Sequence, residues 1–124
     1  MCIGVRDPKQ GVRQLGSTAP ATDQDGRVFA CALSIEVHIP SSGSLKSKRA
    51  VLRHLLDGAR SRYRVAASEV GFQDQWQRSE LAFAAVGGEP ELVSEVLDKV
   101  ERFVWSHPEI TVVSSFRRWL DTSD

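Results

Sequence analysis

Residues 29–39 read FACALSIEVHI, and this stretch decides the fold because its hydrophobicity alternates from one residue to the next. Polar residues, Ser34, Glu36 and His38, occupy only one of its two sides. The other side is apolar throughout, with Phe29, Cys31, Leu33, Ile35, Val37 and Ile39. A period of two is typical of a β-strand that buries one face. The pattern therefore predicts a strand that rests on a core with one face and leaves the other accessible.

An amphipathic helix is predicted directly after this strand. Pro40 and the Ser/Gly run that follows it end the strand, and Ser44 is a candidate N-cap. From Leu45 onward, apolar residues fall within an arc of about 100° on a helix. They are Leu45, Leu52, Leu55, Leu56, Ala59 and Tyr63. Gly58 weakens the last turn of this predicted helix.

The remaining elements complete a recognisable order. Residues 64–72 and 75–86 have strand patterns separated by turn residues, which predicts a hairpin. A second amphipathic helix begins near Pro90 and stops before Pro108, and residues 110–120 alternate as a last strand. The order β-α-β-β-α-β predicts an α+β, ferredoxin-like fold. Right-handed crossovers place both helices on one face of a four-stranded antiparallel sheet and leave the other face open.

Composition narrows the class of protein. With 124 residues the chain predicts one domain, and 16 basic residues cancel 16 acidic ones, which disfavours a highly basic nucleic-acid binder. Residues 1–27 carry few apolar side chains and are predicted to form a mobile tail, with the domain at residues 28–121. Two cysteines are too few for a disulfide scaffold, and no long apolar segment occurs. We therefore expect a soluble cytoplasmic protein without a membrane partner.

Charge is distributed unevenly along the chain. Residues 45–64 contain seven cations and one anion, a net charge of +6, whereas residues 89–109 carry six acids and two bases, a net charge of −4. Five of the cations fall within an arc of about 60° on an ideal helix. They are Lys46, Arg49, Arg53, Arg60 and Arg64. This pattern predicts a cationic stripe, for which a solvated charged helix face is the alternative interpretation.

The start of the first helix is a candidate phosphate site. Three cations, Lys46, Lys48 and Arg49, crowd its first turn, where each opposes the helix dipole by a few tenths of a kcal/mol. Backbone amides at a helix start together with nearby lysines can bind an anion such as a nucleic-acid phosphate. The candidate nucleic-acid or anion-binding residues are Lys46, Lys48, Arg49, Arg53, Arg60 and Arg64. The preceding loop contains no Walker motif, so nucleotide hydrolysis is not predicted.

A second group of polar and aromatic residues surrounds the predicted hairpin turn. We expect these residues to contact a partner or to line the open sheet face: Glu69, Gln73, Asp74, Trp76, Gln77 and Arg78. Trp76 and Arg78 could stack on a base, which is worth about 1–3 kcal/mol per base in single-strand binders. Alternatively, Trp76 packs in a dimer interface while Arg78 pairs with a neighbouring glutamate. The aromatic strand motif of RNA-recognition domains is absent.

Catalytic and metal-binding motifs are absent from the sequence. The three histidines are scattered, and neither cysteine has metal-ligand spacing, so no catalytic residue, metal or cofactor is predicted. Four residues could converge on the sheet as an acid/base cluster, namely Glu36, His38, Glu69 and Asp74. Because exposed carboxylates more often pair with arginines than perform chemistry, a hydrolase or transferase remains only an alternative to a non-enzymatic protein.

Three short strings resemble one family. SLKSKRAVL at residues 44–52, Glu69-Val70, and QDQWQR at residues 73–78 are similar to the YlxP-like family of small bacterial proteins, and the resemblance covers residues 28–120. It implies a ferredoxin-like fold, no established enzymatic activity, and a gene setting near translation and ribosome-maturation factors. Family members usually have polar residues where this chain has Gly71 and Phe72. The motif residues carried over are Lys46, Lys48, Arg49, Glu69, Gln73, Asp74, Trp76, Gln77 and Arg78.

The sequence thus supports two functional hypotheses. In the first, a small non-enzymatic protein binds RNA or the ribosome, with the first helix on phosphates and Trp76 and Arg78 adding stacking or partner contacts. In the second, the protein is a homo-oligomer, such as a homodimer, whose interface covers the open sheet face and holds a small anion. The apolar candidates for that face are Trp76, Ala82, Ala84, Val86, Val113 and Trp119.

Overall fold

Six elements follow one another in the predicted order. The structure, a computed structural model, describes residues 28–120, and the predicted tail at residues 1–27 lies outside them. The elements are β1 (Phe29–His38), α1 (Leu45–Tyr63), β2 (Ala66–Gly71), β3 (Arg78–Gly87), α2 (Pro90–Trp105) and β4 (Thr111–Trp119). This order confirms the predicted α+β, ferredoxin-like topology. Neither helix within residues 28–120 combines the length and the apolarity that a membrane span requires.

The four strands form one antiparallel sheet in the order β2-β3-β1-β4. The central strand β1 pairs with β3 on one side and with β4 on the other, so Leu33 lies opposite both Phe83 and Arg117. Side chains alternate between the faces of a sheet. The odd-numbered residues of β1 and β3 therefore share the face that packs on α1 and α2, and the even-numbered residues share the open face.

The core lies between the sheet and the two helices. The apolar side of the FACALSIEVHI stretch supplies its central row, in which Leu33, Ile35 and Val37 are completely buried. β3 adds Leu81 and Phe83 from the adjacent positions. The helices cover these strands with Leu52, Leu55, Leu56, Ala59, Val93, Leu97, Val100 and Val104. The predicted core face of β1 and the apolar stripe of α1 are thus confirmed.

Helix α1 is capped at both ends, and its N-cap is the predicted Ser44. Ser44 has an extended backbone, and its hydroxyl accepts a hydrogen bond of 3.0 Å from the backbone N–H of Ser47. At the other end, Arg64 adopts a left-handed conformation with φ of 58° and donates its N–H to the carbonyl of Arg60. Within the helix, a Cβ on Gly58 would lie 2.8 Å from the Phe103 ring, so glycine permits the close approach of α2.

Strand β4 is tied to α2 by Arg117. Its Nη2 atom donates to Asp98 Oδ1 at 2.8 Å and to Glu101 Oε1 at 3.0 Å. Burial by itself lowers the pKa of Arg117, but the hydrogen bonds and charges of these two carboxylates outweigh burial and raise it. The acidic charge of α2 is therefore partly neutralised within the fold.

Candidate functional site

The side chain of Lys48 is completely buried, whereas the charge pattern of α1 predicts that it binds an anion. Lys48 lies four residues before Leu52 and seven before Leu55, and so belongs to the apolar face of α1. Its ammonium group reaches across to the loop between β2 and β3. Instead of contacting an external phosphate, Lys48 is occupied by partners inside the protein.

Five oxygen atoms surround the Lys48 ammonium. Glu69 Oε2 lies 2.8 Å from Nζ and forms a buried ion pair with it. The other four are backbone carbonyl oxygens, those of Phe72 (2.8 Å), Gln73 (3.4 Å), Gln75 (2.7 Å) and Arg78 (3.0 Å). An ammonium has three N–H donors, so these acceptors share them. Because a buried charge is tolerated only when it is paired and hydrogen-bonded, this arrangement accounts for a lysine in the core.

Glu69 faces the helices instead of the open face for which it was a candidate. The reason is the register of β2, which places Glu69 opposite Leu81, a core residue. Besides Lys48, its carboxylate accepts a hydrogen bond of 2.8 Å from the hydroxyl of Ser79, which is also buried. Lys48, Glu69 and Ser79 therefore form one polar network beneath the sheet edge.

Residues 72–77, here called the motif loop, are a turn and not the start of β3. The strand was predicted from about residue 75 and begins at Arg78, since the carbonyls of the loop point to Lys48 instead of a neighbouring strand. Phe72 has a left-handed backbone with φ of 57°, and its ring lies 3.8 Å from the guanidinium of Arg78. The Gln77 amide donates to the carbonyls of Pro40 (3.1 Å) and Ser42 (3.0 Å).

The motif loop presents one aromatic side chain to solvent. Trp76 is 55% exposed, and Gln73, Asp74 and Gln75 are exposed beside it. Trp76 also borders an open depression of about 550 Å³, here called the Trp76 depression. Its lining residues are His38, Gln75, Trp76, Gln77 and Arg78. The structure thus brings the second predicted group of residues together, with Glu69 below the loop and Trp76 and Arg78 on its outside.

The predicted cationic stripe is divided by the fold. Arg60 forms an ion pair with Asp57 at 2.7 Å and donates to the carbonyl of Ala67 at 2.6 Å. Arg64 lies at the end of α1, 11 residues and about 16 Å beyond Arg53. The other three cations, Lys46, Arg49 and Arg53, are exposed and have no ion-pair partner within residues 28–120. These three residues are here called the α1 basic surface.

The open sheet face is part apolar and part charged. Small residues, Ala32, Ala82 and Ala84, form its centre, and Val86 and Phe116 are exposed beside them. Towards the motif loop the same face carries Glu36, which accepts a hydrogen bond of 2.7 Å from Arg78 Nε, and Glu80, which accepts one from Ser34. Trp119 lies opposite Cys31 and so faces the helix side instead, while Val113 is exposed at a bulge in β4.

The carboxylates considered as an acid/base cluster do not converge. Glu36 lies on the open face and Glu69 on the helix face, so the sheet itself separates them. Each is already paired, Glu36 with Arg78 and Glu69 with Lys48. In the part of the chain that the structure describes, no group of three or more His, Cys, Asp or Glu side chains could hold a metal ion.

A second open depression, of about 460 Å³, lies between α1 and α2 and was missed by the sequence analysis. His54 and His107 meet there with ring centroids 6.4 Å apart, and Arg62 lies over the Phe103 ring at 5.2 Å. The Nδ1 atom of His107 lies 2.9 Å from the carbonyl oxygen of Phe103. The two histidines are 53 residues apart in the chain, so no local motif links them.

Comparisons with known proteins identify a family and leave the activity open. Residues 30–117 match a family described as a protein of unknown function (DUF503). The chain is also similar to the uncharacterized protein YlxP of Bacillus subtilis (strain 168), with 38% identity over 84 residues. That alignment covers 68% of this chain and 91% of the Bacillus protein. The family match at residues 30–117 spans the motif strings and therefore the residues that surround Lys48.

Proposed function

The chain belongs to the DUF503 family of proteins of unknown function, and from its geometry we propose that it is a non-enzymatic RNA-binding module that associates with RNA or the ribosome. Its α1 basic surface contacts phosphates of the RNA backbone. Such contacts set the position and the affinity of a protein on a nucleic acid without reading the base sequence.

One observation carries this proposal: three exposed cations of the α1 basic surface lie on one helix face without a carboxylate partner among residues 28–120. Arg60, Arg78 and Arg117 each lie within 3.0 Å of a carboxylate oxygen. No carboxylate of residues 28–120 forms an ion pair with Lys46, Arg49 or Arg53. These three span about 10 Å of one helix, where like charges repel by a few tenths of a kcal/mol per pair. An external polyanion removes this repulsion.

Salt dependence and charge reversal test the proposal together. Three contacts to single-stranded RNA predict that log K falls against log salt with a slope of about −2, at about −0.7 per phosphate. The Arg49→Glu/Arg53→Glu variant should bind RNA or the ribosome much more weakly, and the salt slope of its residual binding should fall to about −0.7. The measurement is co-sedimentation with ribosomal subunits, or anisotropy of labelled RNA, at several salt concentrations.

A matched variant separates the surface from the total charge of the protein. Lys99→Glu/Arg102→Glu changes the net charge by the same amount at two exposed positions of α2. We expect it to bind RNA much better than the α1 variant, because it leaves the α1 basic surface intact. Equal losses in the two variants would show that the whole-molecule charge and not this surface governs binding, and would reject the proposal.

A second candidate, a homo-oligomer, is favoured by the apolar half of the open sheet face. Val86 is 74% exposed and Phe116 46% exposed beside the small residues of the sheet centre. This half spans four strands by about four residues, roughly 20 by 14 Å or about 280 Å². Stable interfaces bury about 800 Å² per partner, so the area places this candidate second. Light scattering on the wild type and Ala84→Lys tests it, and a monomeric wild type contradicts it.

A further inference from the structure

Trp76 is the large aromatic side chain that the motif loop exposes. The protein holds this loop in place with the buried ammonium of Lys48, and burying a charge costs free energy. The Lys48 ammonium lies within 3.0 Å of the carbonyls of Phe72, Gln75 and Arg78. The amide of Gln77 fixes the far side of the loop to the segment after β1. The indole is therefore presented on a backbone that is ordered before any partner arrives, which lowers the entropic cost of binding.

The chemistry around Trp76 suits a flat ring. The Trp76 depression is lined by His38 and Arg78, whose side chains end in planar groups. Arg78 is itself held in orientation by Glu36 at 2.7 Å and by the Phe72 ring at 3.8 Å. The volume of the Trp76 depression lies in the range of ligand sites, about 300–1000 Å³, but the depression is open to solvent. That shape admits one unit of a polymer more readily than it encloses a small molecule.

The depression and the α1 basic surface lie at the same end of the molecule. Lys48 stands between Lys46 and Arg49 in α1, and its ammonium is 2.7 Å from the carbonyl oxygen of Gln75, the residue before Trp76. His38 and Arg78, which line the depression, belong to the open face of the sheet, whereas α1 packs on its other face. One RNA strand that passes around the motif loop can contact both surfaces, with phosphates on α1 and a base at Trp76.

We propose that the Trp76 depression is a stacking site for one unpaired nucleobase, and that the RNA bound by this protein is single-stranded at this point. This inference rests on the function proposed above and adds the class of RNA. Trp76 stacks on the base, and Arg78 and His38 border it. Lys48 is a positioning residue, because it acts on the base only through the loop that it holds.

Binding of three labelled or competing polyanions tests this site: a ten-nucleotide oligouridylate, a ten-base-pair RNA duplex, and polyphosphate, which has no bases. Trp76→Ala in the full chain should weaken oligouridylate binding about 5- to 140-fold, the equivalent of about 1–3 kcal/mol per stacked base. Duplex and polyphosphate binding should change less than twofold. Trp105→Ala is the matched control, since Trp105 is 60% exposed on α2. Trp76→Phe should retain most of the affinity.

The outcomes distinguish this inference from the function on which it rests. If Arg49→Glu/Arg53→Glu abolishes oligouridylate binding while Trp76→Ala leaves it unchanged, the stacking site is refuted and the RNA-binding function stands. If the wild type binds none of the three polyanions, the stacking site and the RNA-binding function are both refuted. If Trp76→Ala weakens polyphosphate and duplex binding as strongly as oligouridylate binding, its effect does not depend on an unpaired base and the stacking site is refuted. The stacking site is likewise refuted if Trp76→Ala converts a dimer to a monomer, because Trp76 then belongs to a dimer interface.

Discussion

Replacing Lys48 by methionine tests whether the buried ammonium stabilises this fold. Lys48→Met keeps an unbranched side chain but removes the charge, leaving the Glu69 carboxylate, 18% exposed, without its partner. It also removes the donor for the carbonyls of Phe72, Gln75 and Arg78. Breaking a buried ion pair by deleting one partner costs about 3–5 kcal/mol. Because the loop is exposed and water can replace some of the donors, we expect the lower end, about 3 kcal/mol.

Urea unfolding followed by circular dichroism measures this loss. A change of about 3 kcal/mol is a large part of the 5–15 kcal/mol that usually stabilises a domain, and predicts a Tm lower by about 12–24 °C. Lys46→Met is the matched control, since Lys46 is an exposed lysine two residues earlier in the same helix. We expect Lys46→Met to stay within about 0.5 kcal/mol of the wild type.

A double-mutant cycle with Glu69 isolates the ion pair from the carbonyl contacts. Glu69→Gln removes the negative charge while keeping an oxygen that can accept from Lys48 and from Ser79. In Lys48→Met/Glu69→Gln no charge is left unpaired, so we expect a smaller loss than the sum of the single variants, by about 0.5–3 kcal/mol. If Lys48→Met is no more destabilising than Lys46→Met, the claim that this network holds the motif loop is refuted.

Two further predictions concern the helix cap and the buried thiol. Ser44→Ala should lower the free energy of unfolding by about 1 kcal/mol by removing the acceptor for the Ser47 N–H, whereas Ser47→Ala should have little effect; urea midpoints decide between them. Burial raises the pKa of the Cys31 thiol above its ordinary value of 9.0, with the Arg117 charge opposing part of the rise. The neutral thiol thus contributes stability that is fully present below pH 9 and is lost as the pH rises through the higher folded pKa. Urea midpoints between pH 7 and 10 should fall more steeply for the wild type than for Cys31→Ala, and parallel curves would contradict this account.

The fold could be predicted from the sequence because each strand and helix buries one face, which gives it a periodic pattern of apolar residues. The alternation in residues 29–39 predicted β1, and the structure places the strand at Phe29–His38 with the expected side buried. Ser44 and Pro90 marked helix starts correctly, since caps and the first helical turn depend on neighbouring residues only. The start of β3 was misplaced by about three residues, because a residue distant in the chain, Lys48, draws the carbonyls of the motif loop out of the strand pattern.

The charged residues of α1 were harder to assign. A signal for Lys48 was present, since its spacing to Leu52 and Leu55 places it on the apolar face, where a lysine must find partners. A count of the cations in α1 does not reveal this signal, because it ignores the helix face on which each cation lies. The partner of Arg60 within the helix, Asp57, lies three residues away and could have been paired with it from the sequence. No local rule indicates that Glu69 faces Lys48, because that contact depends on the register of β2.

Local patterning alone therefore determined the order of strands and helices, the buried face of each, and the cap of α1, since these properties depend on side chains within a few positions of one another. Only the tertiary structure decided which cations remain exposed, which carboxylates are already paired, and that the motif strings meet around one ammonium. The physical reason is distance: ion pairs and hydrogen bonds require atoms within about 3–4 Å, and folding alone brings residues 48, 69 and 75 that close.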